Sequence, residues 1–290
     1  MKIVILSRDK ELYSTKKLIE VGLERGHSIE AIDFLKFDFR IGKKTELIYQ
    51  NLKLEKIDAL IPRIGSYFLQ NGIYTVKHFE KLNVFSTASS EGILLSNDKF
   101  SSIQMLQKEE INLPKTVYLN SINNLDSAIK FVGGAPLIIK ILNGTQGLGV
   151  ILAETKQSAI SIIETLYRTQ IKFVLQEYIK ESNGTDIRVF VIGNKVVSAM
   201  KRIGKKGDFR SNIHRGGTGE KIKLTSEEEE IAIKTSKIFN LNVCGVDLLR
   251  SKKGPLFLEI NSSPGIEGIE NYTKIDVASG IIEFIEENAK

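Results

Sequence analysis

The sequence predicts an α/β fold joined to α+β units: a small parallel α/β domain over residues 1–95, then two α+β subdomains over 96–175 and 176–290. Three observations predict it. The first ninety or so residues alternate apolar strand-like runs with an amphipathic helical stretch, the pattern of a parallel βαβ unit. A glycine-rich turn at 143–149 separates two apolar runs in the middle of the chain. Further on, Asp247 lies in Val243-Cys244-Gly245-Val246-Asp247-Leu248-Leu249. The turn residues Ser251-Lys252-Lys253-Gly254 follow, and then Glu259-Ile260-Asn261-Ser262-Ser263-Pro264-Gly265, which together read as an antiparallel hairpin.

The chain has 290 residues, 42% of them hydrophobic, enough for closely packed subdomains around a substantial core. Its 41 Lys and Arg against 35 Asp and Glu leave a net charge of +6, which favours an anionic partner such as a nucleotide, an acidic peptide or RNA. No run approaches the roughly 20 apolar residues of a membrane span. The first apolar run is too short for a signal h-region, so a cytoplasmic protein without a membrane partner is expected. The single cysteine, Cys244, excludes an internal disulfide framework and reads as a small buried hydrophobe.

Residues 3–6 read as the first strand, 12–23 as a helix, and 29–32 and 59–61 as further strands. After the first strand stands Ser7-Arg8-Asp9-Lys10, where a dinucleotide-binding loop needs G-x-G-x-x-G. Residues 37–56 are rich in charge and weak in pattern, an excursion of this domain. Ser96 is placed to cap a helix carrying Ile103 and Leu106, which Pro114 stops. The run 136–141 is a buried strand interrupted by Lys140. A buried ammonium calls for an anion; the alternative is a strand-end lysine reaching solvent. The adjoining Asn143-Gly144-Thr145-Gln146-Gly147-Leu148-Gly149 is either a plain hairpin turn or a lid whose backbone amides approach phosphate.

Residues 173–179 form a strand that turns polar at its end, suited to reading an adenine edge. In the strand 186–192, Asp186 and Arg188 share a face, as a surface ion pair or as contacts to ribose and phosphate. This strand turns through Gly193-Asn194 into the next. Residues 201–217 include Lys201, Arg202, Lys205, Lys206, Arg210, His214 and Arg215. They read as a solvated loop or as an arm closing over anions. Nucleic-acid binding is the rival, with Phe209 alone as an interleaved aromatic. Two helices, 226–239 and 276–288, end the chain, the first begun by a capping box of Ser226 and Glu229.

A fold near Lys253 sets Asp247 opposite Glu259, and the period of two puts Asn261 on the face of Glu259. Like charges directly opposite destabilise a strand pair, so this register calls for a cation. Hard oxygen donors of this kind suit magnesium.

Taken in order, Lys99, Lys140, the loop from Gly144 to Gly149, Gln176-Glu177-Tyr178, Asp186-Ile187-Arg188, Arg210-Ser211-Asn212, Asp247 and Glu259-Ile260-Asn261 resemble the full pattern of the ATP-grasp ligases. The nearest resemblance is to the RimK type, which adds glutamate to the C-terminus of small-subunit ribosomal protein six. It extends over nearly the whole chain, with Ser7-Arg8-Asp9, Ile61-Pro62-Arg63-Ile64-Gly65, Gly207-Asp208-Phe209-Arg210-Ser211-Asn212 and Gly216-Gly217 as further specific matches. The match is loose at 37–56 and 218–223, where features that select the acceptor would lie.

The resemblance implies an N-terminal domain followed by a two-subdomain ATP-grasp fold, with ATP held between the subdomains. Lys99 and Lys140 then meet phosphates under the loop of Gly144, Thr145, Gln146 and Gly147, while Glu177, Tyr178 and Ile179 surround adenine. Asp186 is expected on ribose, and Arg210, Ser211 and Asn212 near the terminal phosphates and the acceptor. Asp247, Glu259 and Asn261 are expected to hold two magnesium ions, with manganese as a substitute. The implied reaction phosphorylates a carboxylate, which an amine then attacks; such transfer needs positioning and charge neutralisation more than a protein nucleophile. Arg188, Arg202 and Arg210 are the expected catalytic cations. The expected partners are ATP, L-glutamate, a protein or peptide acceptor with a C-terminal carboxylate (a ribosomal protein), and further copies of the chain. Two alternatives stand beside this: the same chemistry on a cofactor, small molecule or short peptide, and a nucleotide- or RNA-binding regulator without turnover.

Overall fold

The computed structural model describes residues 1–43, 45–54, 56–142, 148–213 and 216–289, and the elements below belong to those residues. Strand β1 (Lys2–Leu6), helix α1 (Tyr13–Glu24) and strand β2 (Ser28–Ile32) form the expected βαβ unit. Where charge density obscured any pattern, β3 (Phe37–Ile41), β4 (Thr45–Tyr49) and β5 (Leu52–Lys53) pair as a small antiparallel sheet. The physical reason is period two: Phe37 and Phe39 alternate with Asp38 and Arg40, and Phe37 lies edge-on to Phe79 at 5.8 Å.

Next come β6 (Ala59–Pro62), α2 (Leu69–Lys81) and β7 (Phe85–Ser86), which complete a parallel sheet of order β2-β1-β6-β7. Four of the five residues of β1 and all four of β6 are buried, as expected of parallel strands covered on both faces.

Helices α3 (Ser90–Asn97) and α4 (Lys99–Leu106) follow. The cap of α4 is Asp98, whose extended backbone lets its carboxylate accept from the amides of Phe100 and Ser101. Ser96 does not cap it: it lies within α3, its hydroxyl donating to the Ile93 carbonyl. Helix α4 also ends well before Pro114.

The middle of the chain carries β8 (Thr116–Tyr118), α5 (Leu125–Phe131), β9 (Leu137–Ile141), β10 (Val150–Ala153), α6 (Lys156–Arg168) and β11 (Phe173–Glu177). Its antiparallel sheet, of order β10-β9-β11-β8, encloses a separate core that includes Leu137, Ile139, Ile163 and Leu175.

The remainder comprises β12 (Thr185–Ile192), β13 (Lys195–Ile203), β14 (Thr218–Lys221), α7 (Ser226–Ile238), β15 (Val243–Ser251), β16 (Gly254–Asn261), α8 (Glu267–Thr273) and α9 (Val277–Asn288). The five strands form an antiparallel sheet of order β14-β13-β12-β15-β16. The capping box of α7 is Thr225 with Glu228, one residue earlier than the sequence indicates, because Thr225 has the extended backbone that a cap requires. Helix α8 lies in a stretch where the sequence shows no helical signal.

This sheet and the N-terminal parallel sheet share two continuous cores. One runs from Val4, Leu60 and Phe79 to Val189, Val246 and Phe257; the other runs from Ile5, Leu18 and Ile61 to Phe190, Ile281 and Ile285. At Gly92 in α3 a Cβ would fall 2.1 Å from the Phe239 carbonyl oxygen, which is backbone and has no side-chain freedom to yield. Gly92→Ala is therefore expected to destabilise the fold by about 1–3 kcal/mol, read as a lower urea midpoint. Gly42→Ala, where nothing lies within 4 Å, should leave the midpoint in place.

Candidate active site

Two of the three large sheets, together with the loop that follows β6 of the third, line one cleft of about 380 Å³. The β9 strand presents Lys140 to it, the start of α4 presents Lys99, and the end of β11 presents Glu177, Tyr178 and Ile179. The opposite wall carries Asp186 and Arg188 of β12 and Arg202 of β13, and beside them stand Arg210, Ser211 and Asn212. The floor is the end of β16, Glu259 and Asn261, with the loop that follows.

Lys140 is 8% exposed, and its ammonium forms no hydrogen bond or ion pair with any described residue. Burial pushes its pKa down to about 8, against the pull of Glu259. The Lys99 ammonium donates to the Leu142 carbonyl at 3.3 Å, and burial lowers its pKa too, opposed by Glu259 and Asp98.

Cross-strand register builds the charged wall. Asp186 stands opposite Arg202 across β12 and β13, and Arg188 stands opposite Asp247 across β12 and β15. The Arg202 Nε and Nη2 donate to the two Asp186 oxygens, each at 2.6 Å, and Nη2 also donates to Asp247 Oδ2 at 2.6 Å. From the other side Arg188 grips Asp247 through Nε at 2.5 Å and Nη2 at 2.6 Å. The Ser211 hydroxyl donates to Asp186 Oδ2 at 2.5 Å. Burial acts to raise the Asp247 pKa, but the two guanidinium groups hold it below the usual carboxylate range. Burial likewise acts to lower the Arg202 pKa, and Asp186 and Asp247 reverse that, raising it.

Asp247 stands opposite Glu259 as predicted, although not by a continuous ladder folding near Lys253: the pairs from Ser251–Gly254 to Leu248–Phe257 run in another register, and a β-bulge between Leu248 and Asp247 restores the predicted pair. Asp247 is wholly buried behind the cleft wall. The cation that the opposed carboxylates call for is thus supplied here by Arg188 and Arg202. Glu259 is the more open carboxylate: its Oε1 accepts from Asn261 Nδ2 at 3.4 Å, and it lies 3.9 Å from Arg188 Nη2. Burial first, and then the charge of Asp247, raises the Glu259 pKa. Among the described residues no group of three His, Cys, Asp or Glu side chains is arranged to hold a metal.

The cleft gathers Lys99, Lys140, Glu177, Tyr178, Ile179, Asp186, Arg188, Arg202, Arg210, Ser211, Asn212, Glu259 and Asn261, while Asp247 backs the wall. Gly144, Thr145, Gln146, Gly147 and His214 lie outside the described residues. Arg202 belongs to no loop: β13 extends to Ile203, so the basic segment begins inside the sheet. Asp186 and Arg188 do not pair with each other on the surface; each binds a partner on a neighbouring strand. Sequence reasoning assigned no role to the wall made by Ile64, Gly65, Ser66, Ser263, Pro264 and Gly265. Its signals were turn residues placed directly after strands and the family resemblance of 61–65 and 261–265.

Comparison with known proteins matches residues 1–93 to a RimK PreATP-grasp domain and residues 96–285 to a RimK-like ATP-grasp domain. A probable alpha-L-glutamate ligase of Coxiella burnetii is 50% identical over 291 residues, which is 100% of this chain and 97% of the relative. One of Trichodesmium erythraeum is 49% identical over 289 residues, 99% of this chain and 97% of the relative. The fold is similar to the ATP-grasp ligase PsnB complexed with minimal precursor, with a TM-score of 0.79 at 18% identity, covering 99% of this chain and 98% of that one. It is also similar to the macrocyclase MdnC of Microcystis aeruginosa bound with precursor peptide MdnA, with a TM-score of 0.75 at 18% identity, covering 99% and 100%.

The charged wall makes a prediction about stability. Arg202→Met leaves Asp186 and Asp247 buried with too little positive charge, and it is expected to destabilise the fold by about 3–5 kcal/mol, measured by urea unfolding at neutral pH.

Proposed function

The chain belongs to the RimK-like ATP-grasp family and is a carboxylate–amine ligase, and from that premise we propose that it joins L-glutamate to the C-terminal carboxylate of a protein acceptor, a ribosomal protein. The observation that carries the nucleotide reading is Lys140, a buried ammonium that meets no described partner and faces a cleft. Such a group is stabilised by an anion, and Lys99 beside it doubles the positive charge.

In this reading the acceptor carboxylate attacks the terminal phosphorus of ATP. An acyl phosphate forms and ADP leaves. The amine of glutamate then attacks the acyl carbon, the amide forms, and phosphate departs. Lys99 and Lys140 neutralise the phosphates, and the uncharged 144–147 loop is read as their cover. Glu177, Tyr178 and Ile179 enclose the adenine end. Asp186 engages both its oxygens with Arg202 and Ser211, so its part is to orient those groups more than to reach ribose. Arg188, Arg202 and Arg210 face the charge that develops on transfer, fixed in place before substrate arrives; Arg210 is held by Asp208 at 2.9 Å.

The donor chemistry fits magnesium: Glu259 and Asn261 offer hard oxygens to the cleft, and Asp247 stands directly across the ladder. Glu259 and Asn261, which face the cleft, would hold the two ions, with manganese as a substitute, while Asp247 backs them with both oxygens engaged by Arg188 and Arg202. Bound magnesium would screen phosphate charge and help align the transferring group.

Two outcomes follow. Incubation with ATP, magnesium, L-glutamate and purified small-subunit ribosomal protein six should give a ladder of glutamyl additions by intact-mass spectrometry. ADP release with no mass gain would move the acceptor to another class. The second concerns Lys140, which is charged below its pKa of about 8 and neutral above it in the free protein. Affinity for ADP should therefore weaken as pH rises through about 8, and titration calorimetry of Lys140→Gln should show no such step.

A further inference from the structure

The segment that brings Phe209, Arg210, Ser211 and Asn212 to the cleft wall is seated on glycines. A Cβ at Gly204 would fall 2.2 Å from the Arg210 carbonyl oxygen and 3.0 Å from that of Asp208. One at Gly184 would fall 2.8 Å from the Asp208 carbonyl oxygen. One at Gly217 would fall 2.8 Å from the Ile203 carbonyl oxygen, 3.1 Å from that of Asn212 and 3.2 Å from that of Ser211. A backbone oxygen cannot swing aside as a side chain can, so a larger residue at these places displaces the segment. Gly184 has a φ of +71°, which favours glycine in its own right. Gly204 and Gly217 have no left-handed backbone, so at these two the close approach alone sets the requirement.

Asp208 holds the segment from within. Its Oδ1 accepts from the Arg210 amide and from Arg210 Nε, each at 2.9 Å, and its Oδ2 accepts from Nη2 at 3.1 Å. The Arg210 guanidinium also lies 5.3 Å from the centre of the Phe209 ring. A carboxylate that grips the backbone and the guanidinium of one arginine leaves that side chain few orientations. The base of the segment is tied as well. The Gly204 amide donates to the Gly184 carbonyl at 2.9 Å, and the Asp208 amide donates to the Lys205 carbonyl at 2.8 Å.

Packing does not account for this precision. None of residues 204–212 belongs to the three hydrophobic cores, and Lys205, Lys206 and Gly207 are exposed. What the segment delivers to a fixed place is a set of side chains on the cleft wall, with Arg210 as its cation.

We infer that Gly204 and Asp208 are positioning residues for Arg210: the glycine admits its backbone, and the carboxylate aims its guanidinium at the terminal phosphate of the nucleotide. This rests on the ligase reading above, in which Arg210 faces the charge that develops on transfer. Neither residue lines the cleft, and each acts through Arg210.

The test is a pair of double-mutant cycles that combine Gly204→Ala and Asp208→Asn with Arg210→Met. Gly204→Ala is expected to lower kcat about 100-fold and Asp208→Asn about 10-fold, with KM for L-glutamate unchanged. In the Arg210→Met background neither should lower kcat further. Either one keeping its full effect there would overturn the role, because it would then act without Arg210. Asp208→Asn changes charge and not shape, so it decides the point if Gly204→Ala does not fold. Lys206→Ala, an exposed change in the same segment, should leave kcat in place. A second arm needs no turnover. With magnesium present, both variants should bind a non-hydrolysable ATP analogue about 10-fold more weakly than wild type, while ADP, which lacks the terminal phosphate, binds equally well. Wild-type affinity for the analogue in both variants would also overturn the role. A wild type that joins no glutamate would sink the proposed function alone, because the nucleotide arm still decides the part of Gly204 and Asp208.

Discussion

Two carboxylates and two guanidinium groups are buried side by side at the centre of the five-stranded sheet, and the rest of the site is arranged around them. Taking any one of these charges out of water costs several kcal/mol, so the group is tolerable only as a complete set. Asp186, Arg202, Asp247 and Arg188 sum to zero formal charge and share short bonds across β12, β13 and β15. The consequence is rigidity where the chemistry needs it: Arg188 and Arg202 face the cleft with their orientation already determined from behind.

The same arrangement places unlike demands on neighbouring groups. Asp247 is held ionised by its arginines, whereas Glu259, opposite it, feels burial and the charge of Asp247 and is pushed toward protonation. Lys140 has neither carboxylate within bonding reach and loses part of its basicity to burial. An incoming polyanion with a divalent cation relieves both strains at once, because it supplies negative charge to Lys140 and positive charge to Glu259. The electrostatics of the cleft are thus complementary to a metal-bound nucleotide. The packing agrees. The sheet that carries Lys140 has its own core, while the parallel sheet and the five-stranded sheet are welded through two shared cores, so the cleft is a seam between two bodies.

Much of this was legible in the residues, and the failures have physical causes. The hairpin itself was readable from period two and its turn residues, but a regular ladder from the Ser251–Gly254 turn would set Asp247 against Leu258, and a β-bulge next to Asp247 brings Glu259 opposite it instead. The strand around Lys140 was readable because an ammonium in an apolar run has few explanations. Ser96 and Ser226 were misread as caps because a capping side chain is chosen by backbone conformation, which neighbouring Asp98 and Thr225 possess. The small sheet over 37–53 was hidden because its alternating charges look like solvated loop until a second strand shows which face is covered.

The sequence by itself determined the first βαβ unit, the strands around Lys140, Asp186 and Asp247, the hairpin carrying the opposed carboxylates, and the set of cationic and polar residues able to meet a nucleotide. Each of these depends on local periodicity or residue chemistry. Only the tertiary structure decided that Arg188 and Arg202 neutralise Asp247, that Arg202 belongs to a strand, and that Arg63 is bound to the Pro264 carbonyl. Pairing and burial are set by neighbours that different strands and loops bring together, and in the case of Arg63 and Pro264 those neighbours are about two hundred residues apart in the chain.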